Sequence, residues 1–186
     1  MSDQADFVFP EAGSVNHTGK DPMALALSTT QVGKIGETIV GAQLMLASSG
    51  RLSPFAPLAD DGGVDLLLHD KVSGRSVTIQ VKGRVAKAQE TLGYVQFDVR
   101  TSTFRDGPDM FLLAVLLDMQ QGSVQRAWLI PMAELPAVSM RKAEKLAITP
   151  SPNSASKDRY TPYRCQDMRE VAERLIDHLD RTGVES

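Results

Sequence analysis

The sequence predicts an α/β sandwich, a mixed β-sheet with helices packed on it, and three observations lead there. Amphipathic runs from Thr30 to Leu46 and from Met168 to Leu179 keep helical steps of three and four, and they bracket a series of strand-like segments. Within that series "MFLLAVLL" at 110–117 is an unbroken apolar run of strand length, as expected for a strand covered on both faces. "YVQFDVR" at 94–100 instead alternates strictly, which marks a strand with one polar face.

In chain order, residues 1–27 mix Pro, Gly, Asp and Ser without an apolar period and read as a mobile tail or a loosely docked arm. Residues 28–182 then form a single domain, for which 186 residues at 42% apolar content are ample. In the first helix Val32, Ile35, Ile39, Ala42 and Leu46 recur with the helical period, and "SSG" at 48–50 stops it. Gly33, Gly36 and Gly41 cost helix stability, so a close neighbour is expected there. Glu37 lies off that stripe but shares another with Gly33, Val40, Gly41 and Leu44, a face too apolar to be turned simply to water. A weak strand around Leu52 to Leu58 follows, then two strands within "DDGGVDLLLHDKVSGRSVTIQVKGR" at 60–84. "DMFLLAVLLD" and "QRAWLIP" are neighbouring strands joined by the turn in "DMQQGSV". "AVSMRKAEKLAI" fits neither period, and "PSPNSASKDRYTPYR" is a polar loop leading into the closing helix.

The formal net charge of −3 means that any nucleic-acid contact must come from a local patch rather than from the overall field. Cys165 is the only cysteine and three scattered histidines make no zinc spacing, so a reducing, cytoplasmic setting is expected. The start of the chain lacks the charge and apolar pattern of a secretory leader. The run at 110–117 is far too short to cross a bilayer, so no membrane partner is expected.

The two strands at 60–84 have a register that side-chain pattern alone can fix, because a one-residue slip exchanges the faces of a strand. With "KVSG" at 71–74 as the hairpin loop, Asp70 faces Arg75, Leu68 faces Val77 and Leu66 faces Ile79. Val64, Leu66, Leu68, Val77, Ile79 and Val81 then share an apolar face, and Asp65, Gln80 and Lys82 fall together on the other, at the open end of the hairpin. Gly62 and Gly63 allow a sharp bend just before Asp65. If the Glu37 helix packs across that polar face, a second carboxylate joins the first. The pattern permits a site without requiring one.

A helical Glu, then "DGGVD", then "QVK" on the next strand resembles the PD-(D/E)xK nuclease superfamily, nearest to its Mrr-like and Holliday-junction-resolvase-like branches in the variant with Gln in the third motif. The resemblance is strongest over residues 31–84, and it implies a restriction-endonuclease-like three-layer sandwich and a metal-dependent deoxyribonuclease. Carried over, it makes Asp65 the main metal carboxylate and Glu37 a helix carboxylate acting directly or through water. Gln80 and the Val81 carbonyl are further oxygen ligands, and Lys82 is the cation that orients the attacking water or stabilises charge on the scissile phosphate. Hard oxygen donors suit Mg²⁺ or Mn²⁺. The implied partner is double-stranded or branched DNA.

Each residue also has a plainer reading. Glu37 could be a solvated helix residue, Asp65 a strand-end acid bonding turn amides, and Gln80 and Lys82 ordinary members of a wet sheet face. Arg51, Arg84, Lys87, Arg100 and Arg105 could form a phosphate-positioning rim or be scattered surface charge. Lys157 and Arg159, interleaved with Tyr160 and Tyr163, suit contacts with a DNA strand, although the tyrosines could equally pack on the core edge. Asp60 and Asp61 read as loop acids, His69 as a structural or surface histidine. The apolar stripe of the last helix covers the core or forms a homodimer seam. The alternative function is a nuclease-derived domain that has lost its chemistry and binds nucleic acid or protein.

Overall fold

The computed structural model describes residues 27–59, 62–86 and 93–182. The expected tail, apart from Leu27, lies outside them, as do Asp60, Asp61 and Lys87. Helix α1 (Thr29–Ala47) opens with a capping box: Ser28 Oγ accepts the Gln31 N–H at 3.2 Å while Gln31 Oε1 accepts the Ser28 N–H at 2.8 Å. Strands β1 (Leu52–Phe55), β2 (Leu66–Asp70) and β3 (Ser76–Val85) form a meander, and β4 (Phe97–Arg100) follows. Then come β5 (Met110–Asp118), β6 (Ser123–Pro131), the short α2 (Leu135–Val138), β7 (Met140–Lys142), β8 (Lys145–Ile148), β9 (Arg164–Cys165) and α3 (Met168–Thr182).

The main sheet has the order β1-β2-β3-β5-β6-β9, with β3 and β5 parallel and every other pair antiparallel. Strand β5 is buried along almost its whole length because both of its faces are covered. One face carries a core of Val40 and Leu44 from α1, Val77, Ile79 and Val81 from β3, and Val171, Leu175 and Leu179 from α3. On the other face, Leu112, Ala114, Trp128 and Ile130 pack with Phe97, Val99, Leu146 and Ile148 in a second core. The latter residues belong to a separate three-stranded sheet, β4-β8-β7. Thus "YVQFDVR", expected as one more strand of a single sheet, leaves it, and "AVSMRKAEKLAI" resolves into α2 and the hairpin that accompanies it. The architecture is a mixed α/β sandwich, as expected.

Helix α1 turns a different face inward from the one its apolar period picks out. Gly36, Val40, Gly41 and Leu44 are buried, whereas Leu46 is 76% exposed. The glycines explain the difference. A Cβ on Gly36 would lie 2.9 Å from Leu117 Cδ1 and one on Gly41 would lie 3.4 Å from Pro54 Cβ, so the helix sits down on its smallest residues. Val40 and Leu44, fully buried beside them, each contribute about 1.5–3 kcal/mol. The stripe of α3 is also spent within the chain, with Met168, Val171, Ala172, Leu175 and Leu179 all buried, which favours core cover over a dimer seam. Among the described residues no helix is long and apolar enough to cross a membrane.

Candidate nucleic-acid cleft

The hairpin pairs as its pattern requires, with Leu66 opposite Ile79 and Leu68 opposite Val77. At its open end the ladder changes. Asp65, just before the first paired residue of β2, gives its backbone N–H to the Ile79 carbonyl at 2.9 Å, and its carboxylate takes the Val81 N–H at 2.6 Å. The bend that allows this is at Gly63, whose φ is +67° and where a Cβ would fall 2.5 Å from the Thr103 carbonyl oxygen. Strand β2 pairs no further along β3 than Ile79, while β5 follows β3 out to Val85, so among the described residues the far half of β3 keeps one strand beside it.

Gln80 and Lys82 stand on the face of β3 shared with their β5 partners Leu112 and Ala114, which is the face turned toward the second sheet. There a cleft of about 560 Å³ is lined by Asp65, Gln80, Lys82 and Arg84 on one side and by Asp98, Arg100, Thr103 and Lys145 on the other, with Gly63, Thr29 and Thr30 at its edge. Three of the four predicted catalytic side chains therefore meet in one cavity. Gln80 is 3% exposed, and its Oε1 is a buried acceptor without a hydrogen-bond partner. Such an orphaned oxygen is costly unless something fills its lone pairs. The Lys82 ammonium and the Arg100 guanidinium have no hydrogen-bond or ion-pair partner among the described residues.

The fourth predicted residue, Glu37, is not among the described residues lining the cleft. Helix α1 packs on the opposite, apolar face of β3, and only its first turn reaches the cavity. The Glu37 side chain is 21% exposed and bonds Lys34 Nζ at 2.9 Å, so it faces neither the cleft nor open solvent. Arg84 borders the cleft and donates to the Gln96 carbonyl at 3.0 Å. Arg51 belongs to the fold instead. Its guanidinium makes a two-pronged bond to the fully buried Asp70, both distances 2.8 Å, and a third bond to Asp180 at 2.5 Å. The carboxyl of Asp70 is accordingly held well below the usual range, chiefly by Arg51 against the opposing effect of burial. Its facing neighbour Arg75 turns away to Asp109 and to the end of α3.

Lys157 and Arg159 are exposed but do not line the cleft. The aromatics that follow them are structural: Tyr160 is 3% exposed in the second core, and the Tyr163 hydroxyl, pushed up to about 12 by burial and by Glu134, donates to that carboxylate at 2.7 Å. Arg105 donates to the nearby carbonyls of Ser102 and Phe104. His69 bonds Ser76 across the hairpin at 3.2 Å.

The sequence gives little warning of the second wall. Lys145 bonds Asp98 at 3.3 Å, and Gln96 bonds the same carboxylate at 2.8 Å. Burial alone would raise the Asp98 carboxyl, but these bonds and the charges of Lys145 and Lys142 bring it below its ordinary value. The cleft thus gathers four basic side chains, Lys82, Arg84, Arg100 and Lys145, against two acids, Asp65 and Asp98, in a protein whose formal charge is −3. That local sign reversal focuses a positive potential where the chain as a whole has none.

A divalent cation fits part of this arrangement. Asp65 supplies a carboxylate and Gln80 an unpartnered amide oxygen, hard donors of the kind Mg²⁺ and Mn²⁺ take while retaining several waters. Among the described residues no group of three or more His, Cys, Asp or Glu side chains is placed to hold a metal.

No protein-family model matches the sequence, and no curated protein does either. Among solved structures, the chain is similar to a bacterial homing endonuclease, I-Ssp6803I, with a TM-score of 0.54 at 18% identity over 84% of this chain and 98% of the other. The Holliday junction resolvase Hjc of Archaeoglobus fulgidus gives a TM-score of 0.47 at 12% identity, covering 76% and 96% of the two chains. The six-stranded mixed sheet flanked by helices is thus a fold that the chain shares with that homing endonuclease.

Proposed function

We propose that the protein is a metal-dependent deoxyribonuclease that hydrolyses phosphodiester bonds of double-stranded or branched DNA in this cleft. The observation that carries the reading is the convergence in one positively charged cavity of Asp65, the orphaned Gln80 Oε1 and the Lys82 ammonium, which has no partner among the described residues. The endonuclease fold supports it.

Asp65, Gln80 and the Val81 carbonyl would hold Mg²⁺ or Mn²⁺, while Glu37, bonded to Lys34 and turned away from the cleft, would take no direct part. When bound, the cation would polarise the phosphodiester and complement its charge. Asp65 is prepared for its part by the Val81 N–H, which fixes the carboxylate through one of its oxygens. Lys82 complements the charge that develops on the phosphorus-bound oxygens as water attacks, and the low solvent access at Gln80 strengthens that interaction. With Gln80 in place of an acid the cage carries one negative charge fewer, so metal affinity is low until a phosphate completes the shell.

The test is cleavage of supercoiled plasmid and of a branched duplex with Mg²⁺ or Mn²⁺, set against chelator and against Lys82→Ala. Wild type should cut only with metal, and Lys82→Ala should be slower by about 100-fold or more. Equal behaviour of the two proteins on every DNA form would refute hydrolysis at this site. It would leave the same cleft as a binding site, a reading favoured by the amide at position 80.

A further inference from the structure

The second wall of the cleft has no part in the chemistry just described, yet it sets two cations against each other. In the antiparallel pairing of β4 with β8, Arg100 stands directly opposite Lys145. Like charges at facing positions repel, and cross-strand pairs are among the units that stabilise a sheet. Both side chains line the cleft, and the alternation of β4 puts Asp98 on the same face two residues earlier. Lys145 is taken up by Asp98, while the Arg100 guanidinium has no partner among the described residues. The opposite face of these strands, with Phe97, Val99, Leu146 and Ile148, is buried in the second core, so the charged row is held rigidly toward the cavity.

We infer that this row is a phosphate-binding wall: Arg100 and Lys145 together hold one backbone phosphate of a DNA strand lying in the cleft, and Asp98 occupies Lys145 until that phosphate arrives. The inference rests on the nuclease reading for the identity of the ligand, and it adds the residues that position the strand against Lys82. A phosphate between the two cations relieves their repulsion and gives the guanidinium the two-pronged partner it lacks. Asp98 acts as an internal competitor. Its carboxylate makes bare protein self-neutralised at Lys145, and it penalises any ligand less anionic than a phosphodiester.

The experiment is equilibrium binding of a labelled DNA duplex in chelator, where nothing is cut, over a series of salt concentrations, with thermal unfolding of every variant as a folding control. Arg100→Ala and Lys145→Ala should each weaken binding about tenfold, as for loss of one charge-assisted hydrogen bond. Each should also lower the slope of log affinity against log salt by about one. Lys145→Arg should retain most of the affinity, and Asp98→Asn should bind severalfold more tightly than wild type. Unchanged affinity and slope in both alanine variants, or weaker binding by Asp98→Asn, would overturn the wall. Were those variants silent while Lys82→Ala abolished cleavage, hydrolysis would stand and the wall would fall. Binding that depends on Arg100 and Lys145 without metal-dependent cleavage leaves the wall and removes the hydrolysis. A wild type that binds no DNA overturns both.

Discussion

The carboxylate of Asp65 accepts the backbone N–H of Val81 at 2.6 Å, at the point where β2 ceases to pair with β3. One residue thereby does two jobs, closing the end of the ladder and presenting an acid to the cleft.

These jobs separate by substitution. Asp65→Asn keeps an acceptor oxygen for Val81 and removes the charge, so its unfolding free energy should stay within about 1 kcal/mol of wild type while metal-dependent cleavage drops by about 100-fold or more. Asp65→Ala orphans the Val81 N–H and should cost about 1–3 kcal/mol as well as activity. Urea unfolding and a cleavage assay on the same preparations distinguish the two, and an Asn variant with full activity would exclude Asp65 as a metal ligand.

Gln80 makes a prediction of the opposite sign. Gln80→Glu restores a negative charge beside Asp65, so Mn²⁺ binding followed by calorimetry without DNA should tighten by about tenfold or more. If the affinity is unchanged, the buried amide oxygen does not face the metal.

The ion pair between Arg51 and Asp70 predicts a stability effect unrelated to activity. The folded-state carboxyl of Asp70 is depressed, so its contribution is fully present above the ordinary carboxylate range and is lost as pH falls below about 4. The urea midpoint of wild type should fall steeply on that acid limb, and Asp70→Asn should flatten the fall. At neutral pH Arg51→Ala should cost about 3 kcal/mol, because it leaves Asp70 buried with only Val72 and Ser73 to satisfy it.

The part of the site that the sequence reveals is the part built by local pairing. A hairpin with period-two alternation has one register that buries its apolar set, so Asp65, Gln80 and Lys82 could be brought together from residues fewer than twenty apart. Asp98 and Lys145 lie 47 positions apart and meet only because β4 abandons the main sheet for β8, and no local pattern encodes that choice. The inward face of α1 is legible through its glycines and not through its main apolar stripe. Hydrophobic periodicity gives weight to side chains, whereas Gly36 and Gly41 make contact by having none. Arg51 resembled a phosphate ligand because its partners, Asp70 and Asp180, stand far from it in the chain.

Leu117 has a further consequence. Its Cδ1 methyl lies where a Cβ on Gly36 would be at 2.9 Å and where one on Gly83 would be at 3.0 Å, so a single methyl group fills a notch cut jointly from α1 and β3. That methyl is the spacer between the helix bearing residue 37 and the strand bearing residue 82. The three positions are consequently coupled: bulk added to either glycine must displace the same methyl, so the effects of changes at 36, 83 and 117 should depend on one another.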